Sequence, residues 1–390
     1  VISSYLAFII AINIFEGSFG YSADMSKNMI FYYPFPLPTE ATSGSRLRLS
    51  QMLLAFKVIG YQVEVMAGMA RNRHRAIQRI KELVKRGKRF DFLYAESSTL
   101  PSLLAKGNFY RPLLDLNFFR WLRRQGIAIG LFYRDVHWRF PQRDHMRFFR
   151  RCVAIPMYWY EWWIYRRCVD HLFLPSLAMR SALPGDWPIG RSTALPPGCD
   201  VFVSKEDKKF QNTGLSLFYV GGIRPPLYDL KVMFDAVQSL SDVRLTVCCR
   251  DFEWDAVQGH YTPFDHKKIH IVHASGTDLE TYYAKADVFG LFWKSNAYLD
   301  FAMPVKLFEA LGHAVPIVTT AGTEAARFIA HQDIGWIVKT KDELRALLAR
   351  LRDDRDAVIA KHARMLEIRE QHTWQVRAQT AANILQRYHA

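Results

Sequence analysis

The chain has 390 residues, of which 50% are hydrophobic and 14% aromatic, so it can bury the cores of two or three ordinary domains. This composition excludes a disordered chain, a collagen-like repeat and a small disulfide-stabilised protein. The formal net charge is +15, and residues 1–200 hold 28 Lys and Arg against 14 Asp and Glu, whereas residues 201–390 are nearly neutral. The first half is therefore expected to face nucleic acid, an anionic membrane or a phosphorylated substrate.

The chain begins with an apolar segment, residues 1–15, which is short for a membrane span of roughly 20 residues. A signal peptide, a hydrophobic anchor and a non-native extension all fit residues 1–27. We favour the extension, because Met25 and Met29 stand just before the first convincing strand. Five cysteines without a CxxC pair indicate a reducing compartment.

Strand-like apolar runs alternate with helical patterns in both halves of the chain. In the first half the strands are predicted at 28–33, 61–68, 90–96, 127–133 and 171–176, with helices at 46–59 and 72–87. In the second half they are predicted at 216–222, 243–249, 269–274, 287–293, 315–320 and 334–339, with a helix at 230–240 and others between the later strands. This alternation predicts an α/β protein with two doubly wound, Rossmann-like domains that face each other across a cleft.

The boundary between the two domains is expected in the polar, unpatterned segment at 198–213. The predicted divisions are a hydrophobic extension, a first domain, a second domain and a C-terminal helix, at residues 1–27, 28–200, 213–371 and 372–390. Ligands of doubly wound sheets bind outside the carboxyl ends of the strands, so the motifs that follow strands are the candidate sites.

In the second half, Gly221 and Gly222 follow a predicted strand, where glycine lets the backbone approach a phosphate closely. Arg224 adds a cation within reach of a diphosphate. Lys306 begins a helix, a position that the helix dipole disfavours for a cation, and Glu309 lies on the same face three residues later. An anionic ligand on Lys306 and ribose hydroxyls on Glu309 would explain this pattern. A plain tight turn and an exposed ion pair are the alternatives.

In the first half, Arg134, Asp135 and His137 follow a buried strand. Asp135 and His137 could take a proton from an acceptor hydroxyl, with Arg134 holding Asp135 ionised, although a structural Arg–Asp pair is the alternative. Two other strand ends supply candidate acceptor contacts, with helix capping by Ser97 or Ser98 as the alternative at the second: Gly44, Ser45 and Arg46, and Glu96 and Ser97.

The segment at 147–167 interleaves arginines with aromatic residues, and the helix at 71–89 adds nine Lys and Arg. Such segments suit a membrane interface, where rings lie at headgroup level and arginines meet anionic lipid. The candidate membrane contacts are Arg147, Arg150, Arg151, Trp159, Trp162 and Trp163. Single-stranded nucleic acid and a core helix rich in aromatics are the alternatives.

Metal-site motifs are not evident in the sequence. The one DxD pattern, Asp354 to Asp356, lies in a polar helical stretch rather than after a strand, so we expect no metal and no cofactor.

Taken together, these motifs resemble a two-domain, GT-B-fold glycosyltransferase of the family-four (group one) class, from bacterial surface-polysaccharide biosynthesis (exopolysaccharide or capsule). The resemblance covers roughly residues 28–388 and is carried by PPGCD at 196–200, LFYVGGIRP, MPVKLFEALGHAVPIVTT and the terminal HTWQVRA. It implies a hexosyltransferase that uses a UDP- or GDP-linked sugar, retains the anomeric configuration and needs no metal.

By this resemblance, the first domain binds the acceptor and the second binds the donor. Glu309 would bind the ribose, Gly222, Arg224 and Lys306 the diphosphate, and the loop at Ser275 and Gly276 would lie near the base. The family has a second glutamate eight residues before Glu309, where this chain has Phe301, so the adjacent Asp300 is the expected substitute.

The expected partners are a nucleotide sugar, a polyprenyl-diphosphate-linked saccharide acceptor and an anionic membrane, at the cytoplasmic face and without nucleic acid. A nucleotide-sugar epimerase of the same architecture, and a non-catalytic protein that binds anionic lipid or nucleic acid, remain the alternatives.

Overall fold

The computed structural model describes residues 27–38, 44–104, 111–140, 148–202, 214–292 and 298–389. The predicted N-terminal extension, most of the predicted boundary segment and Arg147 lie outside these ranges. The described residues form two lobes, each built on a parallel sheet of six strands with helices on both faces. This confirms the predicted fold class.

The first lobe contains strands in the order β2-β1-β3-β4-β5-β6, all parallel. The strands are β1 Asn28–Tyr33, β2 Gln62–Ala67, β3 Phe92–Glu96, β4 Ala128–Phe132, β5 His171–Leu174 and β6 Ser192–Ala194. The helices are α1 Gly44–Val58, α2 Ala70–Lys85, α3 Leu114–Arg124 and α4 Phe148–Cys168. The sequence did not predict β6, because its three half-buried residues form no apolar run.

The helices of the first lobe divide between the two faces of its sheet. One core cluster joins α2, α3 and α4 to the sheet through residues such as Ile77, Phe118 and Trp162. The opposite cluster joins α1 to the sheet through residues such as Met52 and Phe56. The predicted basic helix and the aromatic segment therefore cover the same face of the sheet.

The second lobe has the strand order β12-β11-β10-β7-β8-β9, again all parallel. Its strands are β7 Leu215–Val220, β8 Val243–Cys248, β9 Ile269–Val272, β10 Val288–Leu291, β11 Ile317–Thr320 and β12 Gly335–Val338. Its helices are α5 Lys231–Gln238, α6 Asp251–Tyr261, α7 Asp278–Lys285, α8 Val305–Gly312, α9 Glu324–Gln332, α10 Lys341–Asp353 and α11 Arg355–Ile368. The DxD residue Asp354 caps α11 by accepting from the Ala357 amide.

The order of strands locates the crevice of the second lobe. Crossovers run in opposite directions from β7 to β8 and from β9 to β10, so the switch point lies between β7 and β10. Ligands of this fold bind outside the carboxyl ends of the strands at such a point. Gly221 and Gly222 follow β7 directly and therefore lie at this crevice.

The last helix, α12 Trp374–Gln386, packs on the first lobe rather than on the second. Trp374, Ala378 and Leu385 belong to the same core cluster as β1 and α1. A Cβ atom at Gly130 of β4 would lie 2.7 Å from the Leu385 side chain, so glycine lets the helix approach the sheet. The PPG linker is held at the same place, since the Cys199 amide donates to the His372 carbonyl at 2.9 Å.

Candidate active site

The glycine turn after β7 packs against the side chain of Lys306. Gly221 has φ +142°, and a Cβ atom there would overlap the Lys306 ammonium group. A Cβ atom at Gly222 would lie 3.1 Å from the Tyr228 ring. Gly221 therefore needs glycine for its backbone conformation and for close packing, whereas at Gly222 a side chain would only be crowded by the Tyr228 ring.

Lys306 lies in the first turn of α8 with its ammonium group against two tyrosine rings. Its Nζ donates to Tyr219 Oη at 3.1 Å and lies 4.6 Å and 5.1 Å from the ring centroids of Tyr219 and Tyr228. Burial lowers the pKa of Lys306 to about 8, although the carboxylates of Glu309 and Glu253 oppose this shift. An anionic ligand would stabilise the charged form of this buried lysine, because it replaces the favourable interaction with water that burial removes.

Glu309 lies one turn further along α8, and Tyr283 Oη donates to its Oε2 at 3.4 Å. Burial raises the pKa of Glu309, while the charge of Lys306 acts against that rise. Tyr283 stacks on His313 at 4.2 Å, and His313 stacks on Phe202 of the linker at 3.8 Å. This row of three rings fixes the end of α8 that carries Glu309.

The other predicted donor residues lie around this crevice. Arg224 is exposed beside the glycine turn, and Asp300 is half-buried in the single 3₁₀ turn Leu299–Phe301. Ser275 and Gly276 are exposed after β9, at the carboxyl edge of the sheet but at its far side. The structure therefore brings Gly221, Gly222, Lys306 and Glu309 together most closely.

In the first lobe, Glu96 is a buried anchor rather than an exposed acceptor contact. Its carboxylate accepts from Arg48 Nε at 3.2 Å, Arg134 Nη2 at 2.9 Å and Tyr94 Oη at 3.1 Å. The side chain is 0% exposed, so the expected direct contact between Glu96 and an acceptor is wrong for this arrangement.

Arg134 pairs with Glu96, so the expected Arg134–Asp135 pair is also wrong. The structural reason is that adjacent residues after a strand point in different directions. Ser97 is buried, and its Oγ accepts from the Arg134 amide at 2.9 Å instead of capping a helix. Gly44, Ser45 and Arg46 form the first turn of α1, but their side chains lie outside the described part of the structure.

Asp135 is held between the two lobes. Its Oδ1 accepts from the His137 amide at 2.8 Å, and its Oδ2 accepts from Tyr298 Oη of the second lobe at 2.9 Å. His137 Nε2 lies 3.2 Å from Tyr158 Oη, and Tyr158 donates its proton to the Thr99 carbonyl at 2.7 Å. Nε2 of His137 therefore carries hydrogen, and its Nδ1 lies 3.7 Å from Asp135 Oδ2.

Comparisons with known proteins bear on both lobes. Residues 214–354 match the family model described as Glycosyl transferases group 1. The chain carries a group 1 glycosyltransferase domain. A search of curated protein sequences gives no significant match.

Solved glycosyltransferase structures share the whole two-lobe fold. Anabaena Alr3699/HepE, in complex with UDP and glucose, is 12% identical with a TM-score of 0.59, and the match covers 92% of this chain and 99% of that one. WaaG, a glycosyltransferase involved in lipopolysaccharide biosynthesis, is 14% identical with a TM-score of 0.55 and the same coverage. A glycosyltransferase from Rickettsia africae ESF-5 is 9% identical with a TM-score of 0.59, covering 93% and 98%. Together with the group 1 domain, this fold confirms the predicted GT-B glycosyltransferase.

The predicted membrane contacts of this glycosyltransferase lie on α4, where the tryptophans separate by helix face. Trp159 and Trp163 are 49% and 38% exposed. Trp162 is 2% exposed and packs on Tyr133 and Trp187, so its assignment to the membrane surface is wrong. Arg151 is half-buried, while Arg147 and the Arg150 side chain lie outside the described residues. Within the described ranges, the structure has no helix long and apolar enough to cross a membrane.

Sequence reasoning missed three residues of the glycosyltransferase cleft: Arg48, Tyr219 and Tyr298. Arg48 offered a signal in the sequence, because it is a basic residue beside the apolar stripe of α1; in the structure only 3% of its side chain is exposed. Tyr298 offered none, since its contact with Asp135 joins residues 163 positions apart.

Proposed function

We propose that this glycosyltransferase moves a hexose from a UDP-linked donor to a polyprenyl-diphosphate-linked saccharide in surface-polysaccharide biosynthesis. The observation that carries the proposal is the Lys306–Glu309 pair on α8, packed against the Gly221 backbone at the switch point of the second sheet. A nucleotide diphosphate requires a cation and close backbone approach, and ribose requires a hydroxyl acceptor. The choice of UDP rests on the UDP complexes of HepE, which shares the fold.

In the proposed reaction, the bond between the sugar C1 and the diphosphate oxygen breaks, and its electron pair goes to the diphosphate. Lys306 and Arg224 stabilise that developing charge electrostatically. The acceptor oxygen bonds to C1, and its proton passes to Asp135, which His137 and Tyr298 orient. The resemblance to the family implies retention of configuration and no metal, and we include both in the proposal.

The outer surface of the first lobe supports a membrane-bound acceptor. Helices α2, α3 and α4 cover one face of the sheet, so their exposed sides form the outer layer on that side of the lobe. This layer, the basic–aromatic face, carries the following exposed residues: Arg71, Arg75, Arg79, Arg120, Arg123, Arg124, Trp159 and Trp163. Basic side chains with interfacial tryptophans fit an anionic membrane at the cytoplasmic side, where the protein would bind peripherally.

The donor site is tested by Glu309→Ala. We expect this variant to lose sugar transfer by at least about 100-fold, because one buried ribose contact and the packing of α8 against Tyr283 are removed together. A thermal-shift screen of nucleotide sugars on both forms identifies the donor, since a ligand of the native state raises stability.

The matched control is Glu324→Ala, which removes a partly exposed carboxylate paired with Arg327 on α9. Transfer at the wild-type rate in Glu309→Ala would reject the donor-site assignment. Sugar interconversion without an acceptor would favour the epimerase alternative.

A further inference from the structure

The cluster of Arg48, Glu96 and Arg134 has more positive than negative charge. Two guanidinium groups contact the two oxygens of one carboxylate, and the three side chains are 3%, 0% and 12% exposed. The cluster therefore carries a net charge of +1 away from water. Arg377 adds a further buried cation nearby: burial lowers its pKa to about 10, and the charge of Arg48 acts in the same direction.

Among the residues that the structure describes, two nitrogens of this cluster have no hydrogen-bond partner. Nη1 of Arg48 and Nε of Arg134 are both buried, and neither donates to an acceptor within the described ranges. The Arg48 guanidinium lies 3.5 Å from the centroid of the Phe132 ring, which offsets part of its desolvation but accepts no in-plane N–H. Buried, unpaired donors on a charged group are costly, so an anionic acceptor beside them would stabilise the cluster.

Neighbouring carboxylates do not supply that acceptor. Asp135 accepts from Tyr298 and from the His137 amide, and Asp200 accepts from Gln51. In the described part of the chain, neither Asp135 nor Asp200 accepts from the two free nitrogens of the cluster.

The cluster lies at the carboxyl edge of the first sheet, facing the second lobe. Glu96 ends β3, Arg134 comes two residues after β4, and Arg48 lies early in α1, which follows β1. A contact between the two lobes occurs at the same edge, where Tyr298 donates to Asp135. A ligand in the cleft between the lobes would therefore meet this cluster.

We propose that Arg48 and Arg134, held apart by Glu96, form an oxyanion subsite that takes one phosphate or carboxylate group of the acceptor. The identity of the ligand as acceptor rests on the proposed function, whereas anion binding itself does not. Both nitrogens are buried in this structure. In the proposal, the anion therefore enters from the cleft while the two lobes are further apart. One monoanion would neutralise the cluster and accept from both free N–H groups.

The test measures anion binding without any donor or sugar transfer. The melting temperature of the full chain is followed during titration with sodium phosphate, against sodium chloride of equal ionic strength. We expect phosphate to raise the melting temperature by about 2–4 °C at fifty times its dissociation constant. Arg134→Gln and Arg48→Gln each leave a neutral Arg–Glu pair, and both should bind phosphate at least tenfold more weakly.

A second set of variants gives the opposite sign and a matched control. Glu96→Gln raises the cluster charge to +2 and should bind phosphate more tightly than the wild type. Arg86→Gln removes an exposed arginine that pairs with Glu82 at the end of α2, and it should bind like the wild type. Lys306→Gln removes the cation of the donor site, and the phosphate effect should persist in it.

The source of the oxyanion is separated by replacing phosphate with glucuronate, with glucose as the neutral control. A glucuronate effect that needs Arg48 and Arg134 indicates a carboxylate, and a phosphate effect alone indicates a phosphate. Equal phosphate and glucuronate shifts in Arg134→Gln, Arg48→Gln and wild type, or no shift in the wild type with either anion, would overturn the subsite. If this protein binds anions as expected but shows no transferase activity, the proposed function is rejected and the anion subsite is retained.

Discussion

The hydroxyl of Tyr298 is expected to control the rate of sugar transfer, because it is the contact from the second lobe that orients Asp135. Tyr298→Phe removes this hydroxyl and nothing else. The ring keeps its edge-on contacts with Phe140 at 5.9 Å and Phe301 at 5.3 Å, so the packing between the lobes is preserved. The substitution removes the 2.9 Å hydrogen bond to Asp135 Oδ2.

A hydrogen bond to a charged group contributes about 1.5–3 kcal/mol. If the bond is kept in the transition state, its loss lowers kcat by about 10- to 150-fold, since each 1.36 kcal/mol is a factor of ten. The KM for the nucleotide sugar should stay within about twofold, because Tyr298 is not part of the Lys306–Glu309 pair. The assay is steady-state transfer from a UDP-sugar to a lipid-linked acceptor.

The control for Tyr298→Phe is Tyr160→Phe, which removes a comparable hydroxyl that donates to the Pro112 carbonyl at 2.8 Å, outside the cleft. We expect wild-type kinetics there. In a double-mutant cycle with Asp135→Asn, the double variant should be no slower than Asp135→Asn alone, because Tyr298 acts through Asp135. Additive losses, or an unchanged kcat in Tyr298→Phe, would refute this reasoning.

Three further outcomes follow, two from the donor site and one from the outer face of the first lobe. The pKa of Lys306 in the folded protein is about 8, below its ordinary value of 10.5. Between pH 8 and 10.5 the unfolded chain therefore binds more protons than the folded protein. The stability of the ligand-free protein should rise with pH across that window. Over the same window the affinity for a nucleotide diphosphate should fall as Lys306 loses its charge; calorimetric titration at pH 7 and pH 9 checks this, and the pH dependence should disappear in Lys306→Met. Replacing Trp159 and Trp163 together with alanine, or neutralising Arg147, Arg150 and Arg151, should weaken binding to vesicles of anionic lipid by about tenfold in a flotation assay; indifference of binding to both changes would contradict the membrane assignment.

The alternation of strands and helices, and with it the two-lobe fold, could be predicted from the sequence because buried parallel strands are continuous apolar runs. The predicted strands at 28–33 and 216–222 agree with β1 and β7 to within two residues at each end. Lys306 and Glu309 could be paired for a similar reason, since residues three apart on a helix share a face. Gly221 and Gly222 were informative because they follow a strand directly.

The partners of charged and aromatic side chains could not be predicted in the same way. Arg134 is next to Asp135 in sequence but pairs with Glu96 of a neighbouring strand, and Trp162 is buried beside the exposed Trp163. Which direction each of these side chains takes depends on the elements that pack against its segment, and those elements lie far away along the chain.

The sequence by itself determined the two sheets, the glycine turn after β7 and the polar face of α8, because each depends on spacings of a few residues. Only the tertiary structure decided that Tyr298 reaches Asp135, that Arg48 and Arg134 share Glu96, and that α12 completes the core of the first lobe. The hydrogen bonds among these contacts join residues that are 38 to 163 positions apart in the sequence. They form only when folding brings the carboxyl ends of the strands close together. A local pattern of residues cannot predict which side chains then come into contact.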